Sequence, residues 1–546
     1  MKHFRHLICV LAVLAVAVCV NAGVLDGYLV ILHSNDVHGY CVTTDQNLGY
    51  GGFKFAKDSL KAKGADVFLF DAGDFSQGTL LVNTSRGADA VRFMNKAGYD
   101  AVTLGNHEFD WGIDNLLLNA EKAEFQILCC NIIRSSDKNS IFATKSVFTV
   151  KSGKKIGVFG LETPECATKV HPDKTKGVEF LGEKDMYAVA QKQIDALKAE
   201  NCALTVCLGH LGDAEETAPN RSVDLIANTK GIDLFVDGHS HTRIEHGSKE
   251  GNTLRVSTGE YSKALGYVVY KETEKGFEFV KCGLADADSM VYDIMTSGKS
   301  QSWDMKLKKE IDKKSDMLTS DLAKPFAENK VRLTGERNPG NRTEETNMGD
   351  LLADSMLWKG QEFDKDTDCA IINGGDIRTG IEAGKISMKD LKTVMPFENQ
   401  LCIITVKGSE LLKALESATC VTPTEIGAFP HVAGIEMTLN TKVKFELGEM
   451  YPESTFYAPK YPGSRVTIKT VGGKVFDPDA LYKVATSDFI ACGGDTYYPF
   501  RYAYRTAGVD TGMLLEDVVC EYIQKALNSV VDEKYAKPQG RIEIIK

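Results

Sequence analysis

The first half of the chain alternates short apolar runs with segments of helical periodicity. Eight runs are predicted as strands: 28–33, 67–71, 101–104, 125–131, 155–161, 204–209, 234–237 and 254–258. Several of them are almost continuously apolar, which is typical of strands buried on both faces. Helical patterns at 88–97 and 183–200 lie between strands. This alternation predicts an α/β layered domain in which helices cover a sheet.

Polar side chains follow five of the predicted strands, at the point where each run ends. They are Asp36, His38, Asp74, Asn106, His210, His239 and His241. Open α/β sheets place their sites at the carboxyl ends of strands, so we expect these groups to converge. So many oxygen and nitrogen donors exceed the needs of one cation and suit two divalent ions bridged by a carboxylate. The alternative is structural, with hydrogen-bonded histidines and Asp74 in an Asx turn.

Length, charge and cysteine content restrict the class of protein. A chain of 546 residues is too long for one core, so two or three domains are expected. The net charge of −11 disfavours a nucleic-acid polymer as partner. The even number of cysteines after residue 22 permits disulfides, whereas adjacent Cys129 and Cys130 are predicted to be buried thiols.

The N-terminus is typical of a secretory signal peptide, predicted at residues 1–22. Lys2 and Arg5 make a basic start, residues 7–20 form an apolar run, and Ala22 is a small residue suited to cleavage. The apolar run is too short for a membrane span, and the C-terminus lacks the apolar tail of a lipid-anchor signal. We therefore expect a secreted chain, periplasmic if the source is a Gram-negative bacterium, without membrane span or lipid anchor.

The second half follows a different pattern. Residues 286–330 are charged and helical in character, and the stretch "GERNPGNRTEETN" is rich in turn formers. From about Met348 a new alternation of helix and strand patterns predicts an α+β domain. The expected organisation is a catalytic domain at 23–325, a helical linker at 326–346 and a second domain at 347–546. A hinge near 339–346 is expected to move the second domain during turnover.

The motifs "NDVHG", "GDFSQG", "GNHEFD", "GH" and "GHSH" resemble those of the metallophosphoesterase superfamily. The additional "NGGDIR" and "GGDTYY" are similar to those of the secreted 5′-nucleotidase family. The resemblance covers nearly all of the mature chain. It implies a four-layer α/β/β/α sandwich, joined by a helical hinge to a smaller α+β substrate-binding domain.

The same resemblance implies roles for the residues at the strand ends. One metal ion would take Asp36, His38, Asp74 and His241, and the other would take Asp74, Asn106, His210 and His239. Zinc is expected first, with manganese, cobalt or iron as alternatives. A hydroxide held by both ions would attack phosphorus in line. His107, held protonated by Asp110, would stabilise charge on the phosphoryl oxygens, although Asp110 could also serve only as a helix cap.

In the second domain the resemblance assigns substrate contacts. Its candidates are Arg342, Asn373, Gly375, Arg378, Phe397, Phe489 and Asp495. The two phenylalanines would sandwich a nucleobase, Asp495 would contact the ribose, and the arginines would grip phosphate. Read from the residues alone, the pattern favours a core position for either phenylalanine, and the arginines could be surface residues without a role. Asp376 departs from the family pattern, in which a third glycine is common.

The resemblance implies a secreted, metal-dependent 5′-nucleotidase that hydrolyses nucleoside 5′-monophosphates to nucleosides and phosphate. The same scaffold could instead serve an apyrase, a UDP-sugar hydrolase or a 2′,3′-cyclic-nucleotide phosphodiesterase. It could also serve a catalytically weak nucleotide-binding protein or a hydrolase of sulfur compounds. The expected partner is a small nucleotide, and no pattern in the sequence indicates an oligomeric state.

Overall fold

The computed structural model describes residues 25–170, 172–287, 305–452, 454 and 456–546. The signal peptide expected at 1–22 lies outside these residues. The chain divides into two compact units, the first comprising residues up to 166 together with 175–316, and the second comprising residues 317–546 together with the short segment 167–174. Within the described ranges we find no helix with the length and hydropathy needed to cross a membrane.

Two six-stranded sheets, one two-stranded sheet and their helices make up the described part of the first unit. Its strands are β1 (Tyr28–Ser34), β2 (Asp66–Asp71), β3 (Ala101–Val102), β4 (Gln126–Ile127), β5 (Ile132–Arg134), β6 (Lys145–Thr149), β7 (Lys155–Glu162), β8 (Val178–Phe180), β9 (Cys202–His210), β10 (Leu234–Asp237), β11 (Ser248–Glu250), β12 (Thr253–Val256), β13 (Ala264–Thr273) and β14 (Gly276–Asp286). The helices in this part of the chain are α1 (Gly49–Ala62), α2 (Leu80–Asn83), α3 (Ala88–Ala97), α4 (Ile113–Ala120), α5 (Cys166–Lys169), α6 (Glu183–Ala199), α7 (Ser222–Asn228) and α8 (Met305–Leu322). The sheet orders are β14-β13-β1-β2-β3-β4 and β11-β12-β10-β9-β7-β6.

The two sheets pack face to face, and helices cover their outer sides. Apolar residues of both sheets, such as Ile31 and Phe70 of the first and Val206 and Val236 of the second, share one buried cluster. Alternate residues of the second sheet, such as Cys207, point outward and pack against α6 and α7. On the outer side of the first sheet α1 packs on β2. The predicted four-layer α/β/β/α sandwich is confirmed.

Most predicted elements occur, and the differences have local causes. The run at 101–104 gives only the two-residue strand β3, and the run at 125–131 gives β4, because the chain then bends into polar turns. The long hairpin of β13 and β14 was not predicted. From Gly266 to Lys271, buried residues of β13 alternate with more exposed ones, as in a strand with one face toward water. Among the described cysteines no two form a disulfide, and Cys129 and Cys130 are buried thiols, as predicted.

A five-stranded mixed sheet organises the second unit. The strands are β15 (Pro325–Asn329), β16 (Cys369–Asn373), β17 (Gly384–Ser387), β18 (Gln400–Lys407), β19 (Pro430–Ala433), β20 (Ile435–Asn440), β21 (Leu447–Met450), β22 (Tyr457–Pro459), β23 (Val466–Val471), β24 (Lys474–Val475), β25 (Leu481–Ser487), β26 (Val509–Leu514), β27 (Val530–Val531) and β28 (Ile542–Ile545). The helices are α9 (Asn347–Phe363), α10 (Met388–Val394), α11 (Gly408–Ala418), α12 (Asp488–Ala491), α13 (Phe500–Ala507) and α14 (Leu515–Lys525). The main sheet has the order β19-β16-β25-β18-β26, and one core lies on each of its faces. The predicted mixture of helices and sheets in the second domain is confirmed.

The segment 326–346, expected to form a helical linker, is not helical. The charged helix α8 ends at Leu322, and β15 then pairs with β17 and β27 inside the second unit. At Arg337–Asn341 the chain makes an irregular turn, because Asn338, Pro339 and Gly340 have non-helical backbone angles. Proline and glycine both disfavour a helix interior, which explains the difference.

Candidate metal centre

The seven side chains predicted as metal ligands all follow strands of the first unit. Asp36 and His38 lie just beyond β1, Asp74 lies beyond β2, and Asn106 opens a short turn beyond β3. His210 is the last residue of β9, and His239 and His241 follow β10. Both sheets therefore contribute, and all seven side chains are buried or partly buried.

Carboxylates and imidazoles converge in two overlapping groups. One contains Asp36, His38 and His241, the other contains Asp36, Asp74 and His210, and the ligand atoms of each lie within 4.8 Å of one another. Asp74 Oδ2 lies 3.2 Å from His210 Nε2 and 3.6 Å from His38 Nε2, so this carboxylate also adjoins both groups. His241 Nε2 lies 3.4 Å from Asp36 Oδ1. Such a donor set fits divalent cations.

His239 and Asn106 complete the cluster less directly. The ring of His239 lies 5.1 Å from that of His210, centroid to centroid. Asn106 Oδ1 is buried and has no hydrogen-bond partner among the described residues, and His210 Nε2 is buried with Asp74 Oδ2 3.2 Å away. Buried polar atoms nearly always have a hydrogen-bond partner, so Asn106 Oδ1 fits a site that holds an ion.

The histidine rings are oriented by acceptors that the sequence did not reveal. His210 Nδ1 lies 2.7 Å from the carbonyl oxygen of Ala72, and His38 Nδ1 lies 3.3 Å from Gln77 Oε1. His241 Nδ1 contacts the carboxylate of Glu260, and His239 Nε2 lies 2.9 Å from Glu165 Oε2. Contacts of this kind fix the ring orientation and tautomer of metal-binding histidines.

The electrostatics of the cluster are dominated by burial and by mutual charge. Burial alone would raise the pKa of Asp74, but the charges of His210, His107 and His38 outweigh it, and the pKa falls well below its usual range. Burial raises the pKa of Asp36 to about 7, with His210 opposing this and Asp74 adding to it. The positive charge of His210 acts on both Asp36 and Asp74, which favours the close approach of these two carboxylates.

The backbone at the site is strained and is held by Glu108. Asp36, His38, Asp74, His239 and His241 all have positive φ, between 47° and 77°. Non-glycine residues adopt this conformation only where the surroundings enforce it. The carboxylate of Glu108 accepts hydrogen bonds from the N–H groups of Asp74 (2.8 Å), Phe75 (3.0 Å), Ser76 (2.9 Å) and Gly105 (2.7 Å). Glu108 stands inside the "GNHEFD" motif, which is the signal by which it could have been found.

The predicted pair of His107 and Asp110 is in contact beside the cluster. His107 Nδ1 lies 2.9 Å from Asp110 Oδ2, and the His107 N–H donates to Asp74 Oδ1 at 3.0 Å. The His107 ring lies 5.2 Å from that of His38. Both side chains keep some exposure, 14% for His107 and 17% for Asp110, so a ligand can reach them.

Several residues predicted to bind substrate converge within the second unit. Asn373 Nδ2 donates to Asp495 Oδ2 at 2.9 Å, and the Gly375 N–H donates to the carbonyl of Gly427 at 2.7 Å. A Cβ built on Gly427 would lie 3.7 Å from Asp495 Oδ2, 3.9 Å from Gly375 Cα and 4.0 Å from Arg342 Nη1. Gly427, which sequence reasoning missed, therefore marks the point where these groups meet.

The remaining predicted substrate residues lie in two further contacts of this unit. The guanidinium of Arg378 lies over the ring of Phe397, 5.2 Å from its centroid. The ring of Phe489 lies against Gly494, where a Cβ would approach it to 2.4 Å. Both phenylalanine rings are only partly buried, and Phe489 also packs against a core of the second unit.

Comparisons with known proteins match each unit to a described domain. Residues 29–243 match the model of the calcineurin-like phosphoesterases, and residues 326–501 match the model of the 5′-nucleotidase C-terminal domain. The trifunctional nucleotide phosphoesterase protein YfkN of Bacillus subtilis is 31% identical over 94% of this chain, which spans only 35% of that relative. A 5′-nucleotidase of Vibrio vulnificus is 27% identical over 94% of this chain and 93% of its own length. The crystal structure of a 5′-nucleotidase precursor from Thermus thermophilus is 28% identical, with a TM-score of 0.78, covering 95% of this chain and 99% of that one.

Proposed function

The chain belongs to the 5′-nucleotidase family and is a phosphoric monoester hydrolase, and from this we propose that it is secreted and hydrolyses nucleoside 5′-monophosphates to nucleosides and phosphate. The supporting observation is the convergence of Asp36, Asp74, His38, His210 and His241, whose ligand atoms lie within 4.8 Å of one another in two overlapping groups. Secretion is supported by the signal-like residues 1–22.

Two divalent cations fit the donors of this cluster. We assign Asp36, His38, Asp74 and His241 to one ion and Asp74, Asn106, His210 and His239 to the other, with zinc first and manganese, cobalt or iron as alternatives. When bound, such ions supply Lewis acidity that makes water nucleophilic near neutral pH and draws charge from the phosphoryl group.

His107 and Asp110 carry the protein's own share of the chemistry. The Asp110 carboxylate, 2.9 Å from His107 Nδ1, orients the ring and favours its protonated form. His107 then presents Nε2–H to a phosphoryl oxygen, where it stabilises the charge that grows as the bond from phosphorus to the 5′ oxygen breaks.

Recognition of the nucleoside is assigned to the second unit. Arg342 and Arg378 would bind the phosphate, whose oxygens suit planar guanidinium groups. Asn373 and Asp495, already hydrogen-bonded to each other, would meet the ribose, and Gly375 lets the backbone approach. Phe397 and Phe489 would stack on the base.

A second candidate is a broader nucleotide phosphoesterase, as in an apyrase, a UDP-sugar hydrolase or a cyclic-nucleotide phosphodiesterase. The name of the Bacillus subtilis relative, a trifunctional nucleotide phosphoesterase, is the observation that favours it.

A substrate panel separates the candidates. Phosphate release from AMP, ATP, UDP-glucose and 2′,3′-cyclic AMP would be measured after chelation and re-addition of single metals. The proposal expects the highest kcat/KM with AMP, and a higher value with another substrate would support the second candidate. Phe489→Ala should raise KM for AMP yet leave p-nitrophenyl phosphate, which has no base, unchanged. Equal effects on both substrates would remove the base-stacking role.

A further inference from the structure

Asp213 connects two loops that carry histidines of the metal centre. It lies three residues beyond His210, yet its Oδ1 accepts hydrogen bonds from Ser240 Oγ at 3.0 Å and Thr242 Oγ1 at 2.6 Å. Ser240 and Thr242 are the neighbours of His241 on either side. The backbone N–H of Asp213 also donates to Ser240 Oγ at 3.3 Å. One carboxylate therefore joins the loop after β9 to the loop after β10.

Arg255, on β12, holds this connection in place. It is buried, and its Nη1 donates to Asp213 Oδ2 at 2.9 Å and to Asp237 Oδ2 at 3.1 Å. Asp237 ends β10, and its other oxygen accepts from the backbone N–H groups of Gly212 and Gly238 at 3.0 and 3.1 Å. The guanidinium thus bridges two carboxylates, one on each histidine-bearing loop.

The loop of His239 and His241 needs such a bridge because its backbone is strained, with φ of 77° at His239 and 56° at His241. Gly212, in the loop after β9, has φ of 67°, which glycine adopts without strain. A Cβ on Gly212 would lie 2.9 Å from the Cβ of Ser240, so the loops approach closely. Non-glycine residues keep such a conformation only where the surrounding structure enforces it.

We propose that Asp213 and Arg255 form a positioning bridge that holds the loop of His210 and the loop of His239 and His241 in their cation-binding geometry. The bridge acts through the loops and touches neither substrate nor ion. The inference rests on the proposed function only in taking these histidines as ligands of divalent cations. The pKa of Asp213 supports it: burial would raise this pKa, but bonds from Thr242 and Arg255 hold it below its usual range, so the bridge stays ionic at neutral pH.

Cation affinity and stability, measured separately, test the bridge. Asp213→Asn keeps the shape but replaces an accepting oxygen by a donating NH2 group. Arg255→Lys keeps the charge but replaces the rigid guanidinium, whose Nη1 contacts both carboxylates, by a flexible ammonium group. Calorimetric titration of the chelator-stripped protein with Zn²⁺ or Mn²⁺ should show affinity about 10- to 100-fold weaker for Asp213→Asn, a loss typical of residues that orient metal ligands. Arg255→Lys should lie between this variant and the wild type.

Two further variants make the test specific. Glu250→Gln is the matched control. Glu250 is a third carboxylate near Arg255, with an oxygen 3.7 Å from Arg255 Nε, and it lies on β11, outside both histidine-bearing loops. Glu250→Gln should bind cations as the wild type does. Thr242→Val removes one hydroxyl of the bridge without changing any charge, and it should also weaken cation binding. This variant therefore tests the bridge even if Asp213→Asn fails to fold.

Wild-type cation affinity in Asp213→Asn and Thr242→Val would overturn the proposal. So would a lower melting temperature of the stripped variants with unchanged affinity, since this would show an ordinary structural role. A wild type that binds cations but does not hydrolyse AMP would reject the proposed function and leave the bridge standing. A wild type that binds no divalent cation would overturn both.

Discussion

His107 and Asp110 form a contact between side chains on one short turn, and their pairing carries the proposed stabilisation of phosphoryl charge. His107→Ala removes this hydrogen-bond donor and none of the proposed ligands. We expect kcat for AMP to fall about 10²- to 10³-fold, the usual range when a donor that stabilises transition-state charge is lost. Cation affinity, measured by calorimetry, should stay at the wild-type value.

Asp110→Asn provides the graded control, because it keeps a hydrogen-bonding partner for His107 but loses the charge. Its kcat should lie between those of the wild type and His107→Ala. Full turnover by His107→Ala would remove the catalytic assignment.

Asp376 is buried in the second unit, and its charge should cost stability. Burial raises its pKa to about 7, the nearby Asp495 and Asp488 add to this, and Asn399 and Arg378 oppose it. In the unfolded chain an aspartate ionises near pH 4, so the folded state binds more protons between about pH 4 and 7. The contribution of Asp376 to the free energy of unfolding therefore falls as pH rises through this window and is constant above it.

Asp376→Asn should remove this dependence. We expect its melting temperature to exceed that of the wild type by more at pH 8 than at pH 5. The corresponding gain in the free energy of unfolding at pH 8 has a ceiling of about 4 kcal/mol. Thermal unfolding at both values, with the exposed Asp45→Asn as control, checks it. An equal difference at the two pH values would contradict the pKa assigned to Asp376.

At the scale of elements, the strand-end loops are stable because Glu108 ties two of them together. Its carboxylate accepts hydrogen bonds from backbone N–H groups of the loop after β2 and of the loop after β3. Glu108→Gln replaces one accepting oxygen by a donor, which breaks at least one charge-assisted bond worth about 1.5–3 kcal/mol. We expect the free energy of unfolding to fall by about that amount, measured by denaturant titration.

The exposed Glu121→Gln is the control for this effect and should change stability little. If Glu108→Gln unfolds at the wild-type denaturant concentration, the loops do not depend on this carboxylate.

Elements that depend on nearby residues were predictable, and those that depend on distant partners were not. Helix 88–97 and the polar strand ends followed from local periodicity. The orientation of His239 by Glu165 joins residues 74 positions apart, and Arg255 meets Asp213 across 42 positions. No local pattern encodes such contacts. Glu260, only 19 positions beyond His241, was missed because a carboxylate in a polar turn is ordinary.

At the scale of the whole molecule, the sequence indicated two domains but misplaced the element that joins them. The structure divides the chain between Asp316 and Met317, within α8, and places β15 in a sheet of the second unit. The partners of β15 lie at Gly384–Ser387 and Val530–Val531, far along the chain. Pairing with them decides the conformation of 325–329, which its own residues could not reveal.

The residues assigned to cations and those assigned to the nucleotide lie in different units. The first unit contains every residue assigned to cations and to the stabilisation of phosphoryl charge, and the second contains every residue assigned to the nucleotide. The type of chemistry was therefore predictable from strand-end motifs. Preference among nucleotides depends on loops such as that of Gly427, whose approach to Arg342 and Asp495 only the fold reveals.

The most direct test of the central claim is the dependence of AMP hydrolysis on bound divalent cations. Phosphate release would be followed while a single metal is returned stepwise to chelator-stripped protein, with bound metal counted in parallel. The account predicts no turnover in the stripped protein, full recovery at two ions per chain, and no recovery for Asp74→Ala. Undiminished hydrolysis by the stripped protein, or by Asp74→Ala, would contradict it.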